Sequence, residues 1–340
     1  LFDISELHIE ISSRCVLKCP RCPRTELSKE LKDVLNTDYS LTDFKRIFTP
    51  LVLDKVERIL FCGDKGDPIY AKDFLQIVQY IKEYKPNLRI SITTNGSYKS
   101  SSWWTELGES LSPLDTITFS VDGLNSTKNN MYRVNSDMLS IIDGMIAISK
   151  ISEHKRPFMV WSTIRFRFNQ DDIQKNKFVF RAKELNFDRW QLVESTKVGS
   201  IDQQYLDENG YDHLEPININ EASSLKVYKK RSHSLSKRKE HVNYIREAEK
   251  NKLNGKDRPW QSCLRKEQIP MIDVDGKFYP CAWFNSGYIP NAFVEKYANK
   301  INIRKNGFES VINNSCWKEL ETQWLMAPLE ICKLKCYKNA

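Results

Sequence analysis

Leu7-His8-Ile9-Glu10-Ile11-Ser12, followed after Ser13 and Arg14 by Cys15-Val16-Leu17-Lys18-Cys19-Pro20-Arg21-Cys22, is the stretch on which the reading of this chain turns. Its first part predicts a strand over 7–12. Its second part spaces three thiols at i, i+4 and i+7, which would line one face of a helix, where they could be plain core residues. Pro20 and Pro23 oppose a helix, because proline inside one removes a hydrogen bond and clashes with the preceding turn. A compact loop wrapping three thiolates around one object is the better geometry. Zinc competes for such a loop, but structural zinc takes four protein ligands and no His lies near in sequence. Three cysteines would leave one iron of a [4Fe–4S] cluster without a protein bond, a vacancy suited to a substrate or cofactor.

Working outward, strands are predicted over 56–62, 88–93, 116–121, 158–167 and 189–193, each rich in β-branched or aromatic residues. Helical patterns lie between them at 42–53, 71–84, 101–111, 136–151 and 171–186. Thr42-Asp43 and Asp171-Asp172 read as helix starts, with acids near the positive end of the helix dipole. Six strands with helical crossovers imply a parallel sheet in an α/β barrel or a doubly wound fold. In both, chemistry gathers at the C-terminal ends of the strands. Sequence pattern alone leaves open whether the sheet closes.

The 340 residues suffice for one large domain and a small one, or two of moderate size, and 40% hydrophobic with 28% charged residues is an ordinary globular composition. No apolar run approaches the roughly 18 residues of a membrane span, and the first residues lack the basic start and apolar core of a signal peptide. Nine cysteines, with only Cys62 between Cys22 and Cys263, fit two groups of soft ligands in a reducing, cytoplasmic setting better than a secreted disulfide framework. The net charge of +8 arises within 226–258, where twelve Lys or Arg meet four acids. This strip could receive an anionic substrate, a partner or nucleic acid, or be a solvated helix.

The Cys-x3-Cys-x2-Cys loop after the first strand resembles the radical S-adenosylmethionine (SAM) superfamily, and further motifs follow in order. After the second strand, Cys62-Gly63-Asp64-Lys65-Gly66-Asp67-Pro68 is similar to that family's Gly-Gly-Glu-Pro segment, with Asp67 where Glu is usual. After the third strand, Thr93-Thr94-Asn95-Gly96 looks like its ribose-side turn. After the fourth, Ser120-Val121-Asp122-Gly123 and then Tyr132-Arg133 resemble its Ser-x-Asp-Gly…Tyr-Arg pattern. One departure is Arg21, where many members carry an aromatic residue before the last cysteine.

The resemblance implies a partial (β/α)6 TIM-like barrel. It implies that Cys15, Cys19 and Cys22 ligate a [4Fe–4S] cluster whose open iron chelates S-adenosyl-L-methionine. The cofactor-contacting set would be Gly63, Gly66, Asp67, Pro68, Thr94, Asn95, Ser120, Asp122 and Arg133, with Arg133 pairing to the SAM carboxylate. Reductive cleavage of SAM would then give a 5′-deoxyadenosyl radical that abstracts substrate hydrogen, with electrons from a flavodoxin or ferredoxin.

Towards the C-terminus, Cys263-x12-Gly276-x4-Cys281 and Cys332-x3-Cys336 resemble the family's small "twitch" appendage, related to the longer SPASM domain. Cys263, Cys281, Cys332 and Cys336 are thereby expected to hold an auxiliary [4Fe–4S] cluster, zinc being the competing metal and Cys316 a spare. A hairpin with Gly276 at its turn would bring the first pair together. The domains expected are a radical SAM core over 1–195, a basic, partly helical connector over 196–262 and a twitch-like domain over 263–340. The reaction expected is oxidation or rearrangement at a C–H site of a polar small molecule or peptide, with Arg165, Arg167, Asn169, Gln191 and Glu194 as possible polar contacts. The competing classes are a nucleic-acid-binding protein with structural cysteines and an RNA-modifying enzyme.

Overall fold

The computed structural model describes residues 2–20, 22–25, 36–193, 212–214, 230, 269–285, 291–326, 329 and 332. The chain divides into two compact units. The larger takes residues 9–46 and 57–231, the smaller 1–8, 47–56 and 232–340. The expected boundaries at 195/196 and 262/263 lie outside the described residues.

The larger unit is built on parallel strands. β1 (Glu6–Ile9), which begins in the smaller unit, is followed by β2 (Arg58–Phe61), β3 (Arg89–Thr94), β4 (Thr116–Ser120), β5 (Phe158–Ile164) and β6 (Arg189–Val193). From β2 to β6 each strand pairs in parallel with the next in sequence order, with Ile59 beside Ile90, Ile92 beside Ile117 and Trp161 beside Trp190. β1 stands next to β2 in strand order. Consecutive parallel neighbours joined by helices make the expected α/β, TIM-like arrangement.

Burial alternates along β2, β3 and β4. One face carries Ile59, Phe61, Ile90, Ile92, Ile117 and Phe119, all fully buried. Each such side chain contributes about 1.5–3 kcal/mol.

The crossover helices differ from the sequence expectation where backbone chemistry intervenes. The segment expected as one helix over 42–53 is two, α1 (Leu41–Ile47) and α2 (Pro50–Lys55), because Pro50 cannot continue a helix and starts a new one. α3 (Phe74–Tyr84) turns Phe74, Ile77, Val78 and Ile81 inward, and α4 (Ser101–Ser110) is capped by Ser100 accepting from Trp103 N. A short α5 (Ser126–Asn130), absent from the sequence reading, precedes α6 (Met138–Ser149), which Asp137 caps. The helix expected over 171–186 is split into α7 (Gln170–Gln174) and α8 (Lys177–Glu184) by Asn176, whose φ of 56° is left-handed.

In the smaller unit, β7 (Met271–Ile272) and β8 (Phe278–Tyr279) pair antiparallel as the expected hairpin. Gly276 supplies a φ of 89° at its turn, which a side chain would strain. Phe2, Phe278 and Phe293 pack around Trp317, with ring centroids 5.1–5.8 Å away. Among the described residues no helix is long and apolar enough to cross a membrane.

Candidate active site

The three N-terminal cysteines lie on a loop just past β1, and neighbouring loops hold that loop by its backbone. Lys18 N donates to Val134 O at 3.0 Å, and the Asn135 side-chain amide donates to Val16 O at 2.8 Å. Asp67 N donates to Arg14 O at 2.9 Å, and Cys22 N to Cys19 O at 3.2 Å. A separate apolar cluster forms here, with Leu17, Cys19, Tyr132, Phe166 and Leu214 at its centre and Cys15, Val16, Cys22, Ile164 and Phe168 packed against it. All three cysteines therefore share one locality.

The loop after β2 supplies the second wall. A Cβ on Gly66 would stand 2.1 Å from Ser12 O, and one on Gly63 would stand 2.8 Å from Glu10 Oε1. The glycines thus let this loop press on the strand and loop that carry the cysteines. Glu10, which the sequence reading did not single out, accepts from Lys65 N at 2.5 Å. Asp67 faces inward: Oδ2 accepts from Asn95 N at 2.7 Å and from the Asn95 side chain at 2.6 Å, and Oδ1 accepts from Ile69 N at 3.2 Å. Pro68 follows it in a buried 3-10 turn.

Thr94 Oγ1 accepts from Gly96 N at the end of β3, and Asn95 Oδ1 accepts from Ser97 N and from the Tyr70 hydroxyl. The Asn95 amide also reaches the Cys15 sulfur, 3.7 Å away. Asp67 and Asn95 therefore form one bonded unit beside the first cysteine.

After β4, Ser120 is half-buried and Asp122 fully buried. Asp122 Oδ2 accepts from Arg133 Nε at 2.6 Å, and its Oδ1 accepts from Ile164 N at 2.6 Å. Asn129 holds the turn, accepting from Asp122 N and Gly123 N and donating to Ser136 Oγ. The sequence carried no helical or strand pattern that would have marked Asn129. Arg133 lies over the Tyr132 ring at 5.1 Å, and its positive charge favours the ionised form of Cys19.

Burial dominates the electrostatics. It pushes the Cys15 thiol up to about 12, reinforced by Asp67 and by the charges of Cys19 and Cys22. It pushes Cys19 up to about 11, against the pull of Arg133. Burial also raises Asp67 to about 6, opposed by bonds from Asn95, Thr94 and Ile69. For Arg133, burial works against the cation, but Asp122 and Cys19 outweigh it and its pKa rises. Thiolates crowded in an apolar pocket call for a cationic object between them, and an iron–sulfur core supplies positive charge to that donor set. Among the described residues, no three His, Cys, Asp or Glu are set around a single metal ion. Three cysteines gathered in one apolar cluster are a soft donor set of the kind an iron–sulfur core takes.

Of the other expected contacts, Asn169 is a buried clamp whose amide donates to Asp122 O and Ile164 O. Arg165 is buried, Arg167 exposed, and the Gln191 amide donates to Ser162 Oγ at 3.4 Å. Arg21 and Glu194 lie outside the described residues, as do Cys263 and Cys336. Cys281, just past β8, and Cys332 are buried. Cys316 is buried at the start of α9 (Cys316–Met326), and burial raises its pKa. Cys62 is half-buried at the end of β2.

Comparison with known proteins agrees with this geometry. No family model matches the chain. The chain is 26% identical over 299 residues to the GTP 3′,8-cyclase of Aquifex aeolicus (strain VF5), covering 85% of each protein. A tungsten-containing aldehyde ferredoxin oxidoreductase cofactor-modifying protein from Pyrococcus furiosus is 29% identical over 123 residues, 36% of this chain and 32% of that protein. Among solved structures, Streptococcus suis SuiB bound to S-adenosylmethionine superposes with a TM-score of 0.54 at 16% identity, over 99% of this chain and 69% of that one. The enzyme anSMEcpe with bound AdoMet does so at 0.55 and 16%, over 92% and 78%. Shared architecture, a relative spanning most of the chain and the cysteine triplet past β1 support a likeness to the radical SAM superfamily. Every expected core motif lies in the larger unit, and segments 63–68, 94–97 and 132–135 each bond the cysteine loop, with 120–123 linked to it through Arg133.

Proposed function

We propose that this chain is a radical SAM enzyme that binds one [4Fe–4S] cluster through Cys15, Cys19 and Cys22, binds SAM beside it and abstracts a hydrogen atom from a polar small-molecule or peptide substrate. The observation that carries the proposal is the convergence of the three cysteines with Arg133 and the Asp67–Asn95 pair in one partly apolar site. When bound, the cluster would supply the single electron for reductive cleavage of SAM.

The chain's own residues do the rest. Asp122 orients the Arg133 guanidinium through Nε, a geometry suited to a carboxylate partner. Asp67 fixes Asn95, and with it the turn after β3, against which the adenosine part would lie. Tyr132, Phe166 and Leu17 exclude water from the cysteine side, protecting a reactive carbon radical from quenching. Gly63, Gly66, Pro68, Thr94 and Ser120 complete the proposed SAM-contacting set.

The test is anaerobic reconstitution followed by SAM and dithionite. Formation of 5′-deoxyadenosine that is lost in Cys15→Ala supports the reading; no product above that control overturns it.

A second, auxiliary cluster on Cys263, Cys281, Cys332 and Cys336 belongs to the same proposal, with 263–340 as its domain, 1–195 as the core and 196–262 as the connector. Two clusters predict about eight iron and eight sulfide per chain, and about four iron with one zinc would contradict it. The GTP 3′,8-cyclase relative favours a second reading of the substrate, a purine nucleotide. Consumption of GTP dependent on SAM and reductant would select it. The basic strip lies outside the described residues except for Lys230, whose ammonium meets Glu153 and Asn186 at 2.6 Å each.

A further inference from the structure

Asp212–Leu214 forms a 3-10 turn in the segment between β6 and β7. The sequence around it, Asp207-Glu208-Asn209-Gly210-Tyr211-Asp212-His213-Leu214-Glu215, is polar, with Leu214 as an isolated aliphatic residue. A lone leucine in such a run would ordinarily face solvent. Here it is fully buried, in the small cluster that also contains Cys19, Leu17, Tyr132 and Phe166.

The neighbouring histidine explains how the turn stays there. His213 Nε2 lies 3.0 Å from Met131 O. A carbonyl oxygen only accepts, so Nε2 carries the proton and donates. Met131 immediately precedes Tyr132 and Arg133, so the turn is tied to the segment that delivers the guanidinium. An aromatic wall runs from it: His213 and Phe168 are 6.3 Å apart, Phe168 stacks on Phe166 at 5.4 Å, and Phe166 meets Tyr132 at 4.6 Å.

We infer that Leu214 and His213 are shielding and positioning residues of the three-cysteine site, Leu214 closing its apolar side over Cys19 and His213 anchoring that closure to Met131. The inference rests on the cluster reading for its functional consequence. An apolar shell limits the access of water and oxygen to a metal centre and lowers the local dielectric, which disfavours the more negatively charged reduced cluster. Opening the shell makes the reduction potential less negative and oxidative loss faster.

The experiment uses the full chain in two states. Without cluster, native protein is alkylated with iodoacetamide and labelling of each cysteine is followed by mass spectrometry. With cluster, loss of visible absorbance in air and the reduction potential are measured. In Leu214→Ala, Cys19 should label several-fold faster than in the unaltered protein, while Cys316, buried in the smaller unit, keeps its rate. Cluster loss should quicken several-fold and the potential should become less negative, with Leu214→Met restoring all three readouts. His213→Ala, which leaves the leucine in place and removes its anchor, should shift them in the same direction; it decides the matter if Leu214→Ala fails to fold. Unchanged Cys19 labelling and unchanged air stability in the variants would overturn the inference, as would equal acceleration at Cys19 and Cys316. If the unaltered protein takes up no iron, the cluster reading falls, and the labelling arm still shows whether Leu214 covers Cys19.

Discussion

Arg133 and Asp122 are joined at 2.6 Å through Nε and Oδ2, with the carboxylate fully buried and the guanidinium nearly so. The pair connects the turn after β4 to the segment that ends the apolar wall around Cys19. A buried carboxylate also bonded to Ile164 N fixes the guanidinium in one orientation before any ligand arrives. Removing one partner of a buried pair strands the other charge. Asp122→Asn should therefore destabilise the fold by about 3–5 kcal/mol, read as a lower urea midpoint.

Arg133→Lys keeps the charge and loses the planar fork. On the proposed SAM site it should weaken SAM binding about tenfold or more, measured by equilibrium binding to the reconstituted protein, with a smaller effect on the urea midpoint than Asp122→Asn.

Gly66 has no room for a side chain, because its Cβ would fall 2.1 Å from Ser12 O, a backbone atom that cannot rotate away. Gly66→Ala should separate the loop after β2 from the cysteine loop and destabilise by about 1–3 kcal/mol or more. Reduced iron uptake at equal protein concentration is the measurement.

Asn135 sits at a φ of 69° and donates to Val16 O. Asn135→Gly keeps the backbone conformation and loses the bond, about 1 kcal/mol. Asn135→Ala should lose more, since a left-handed alanine adds roughly 1 kcal/mol of strain. Thermal unfolding of the two variants should rank them in that order.

Asp172 Oδ1 and Oδ2 meet Lys177 and Lys128 at 2.8 and 2.5 Å. Burial alone would raise its pKa, but the two ammonium groups prevail and lower it. With the folded pKa below the unfolded value, the contribution to stability is present above the ordinary carboxylate range and is lost as pH falls through the folded pKa. The difference in thermal stability between the unaltered protein and Asp172→Asn should be full near neutrality and close on acidification. A difference that grows with acid would contradict this.

The strands and the motif order were legible because a parallel sheet writes itself as β-branched runs separated by amphipathic helices, and because Cys15, Cys19 and Cys22 lie within one loop. Breaks inside helices were partly legible: Pro50 is visible in the sequence, whereas the left-handed Asn176 is a conformation many asparagines avoid. Asn129, Glu10 and Leu214 were not legible. Each acts through a partner distant in sequence, so no local periodicity marks it, and Leu214 stands alone in a polar run. Asp67 could be read from the sequence as part of the loop after β2, but its bonds to Asn95 were invisible until β2 and β3 were side by side.

On the proposed function, three thiolates hold an iron–sulfur cluster with one iron left open to SAM. The decisive experiment is electron paramagnetic resonance of the dithionite-reduced protein, recorded with and without SAM. The expected result is a reduced-cluster signal that shifts on adding SAM and disappears when Cys15, Cys19 and Cys22 are all replaced by alanine. A signal indifferent to SAM, or one that survives loss of those three cysteines unchanged, would contradict it.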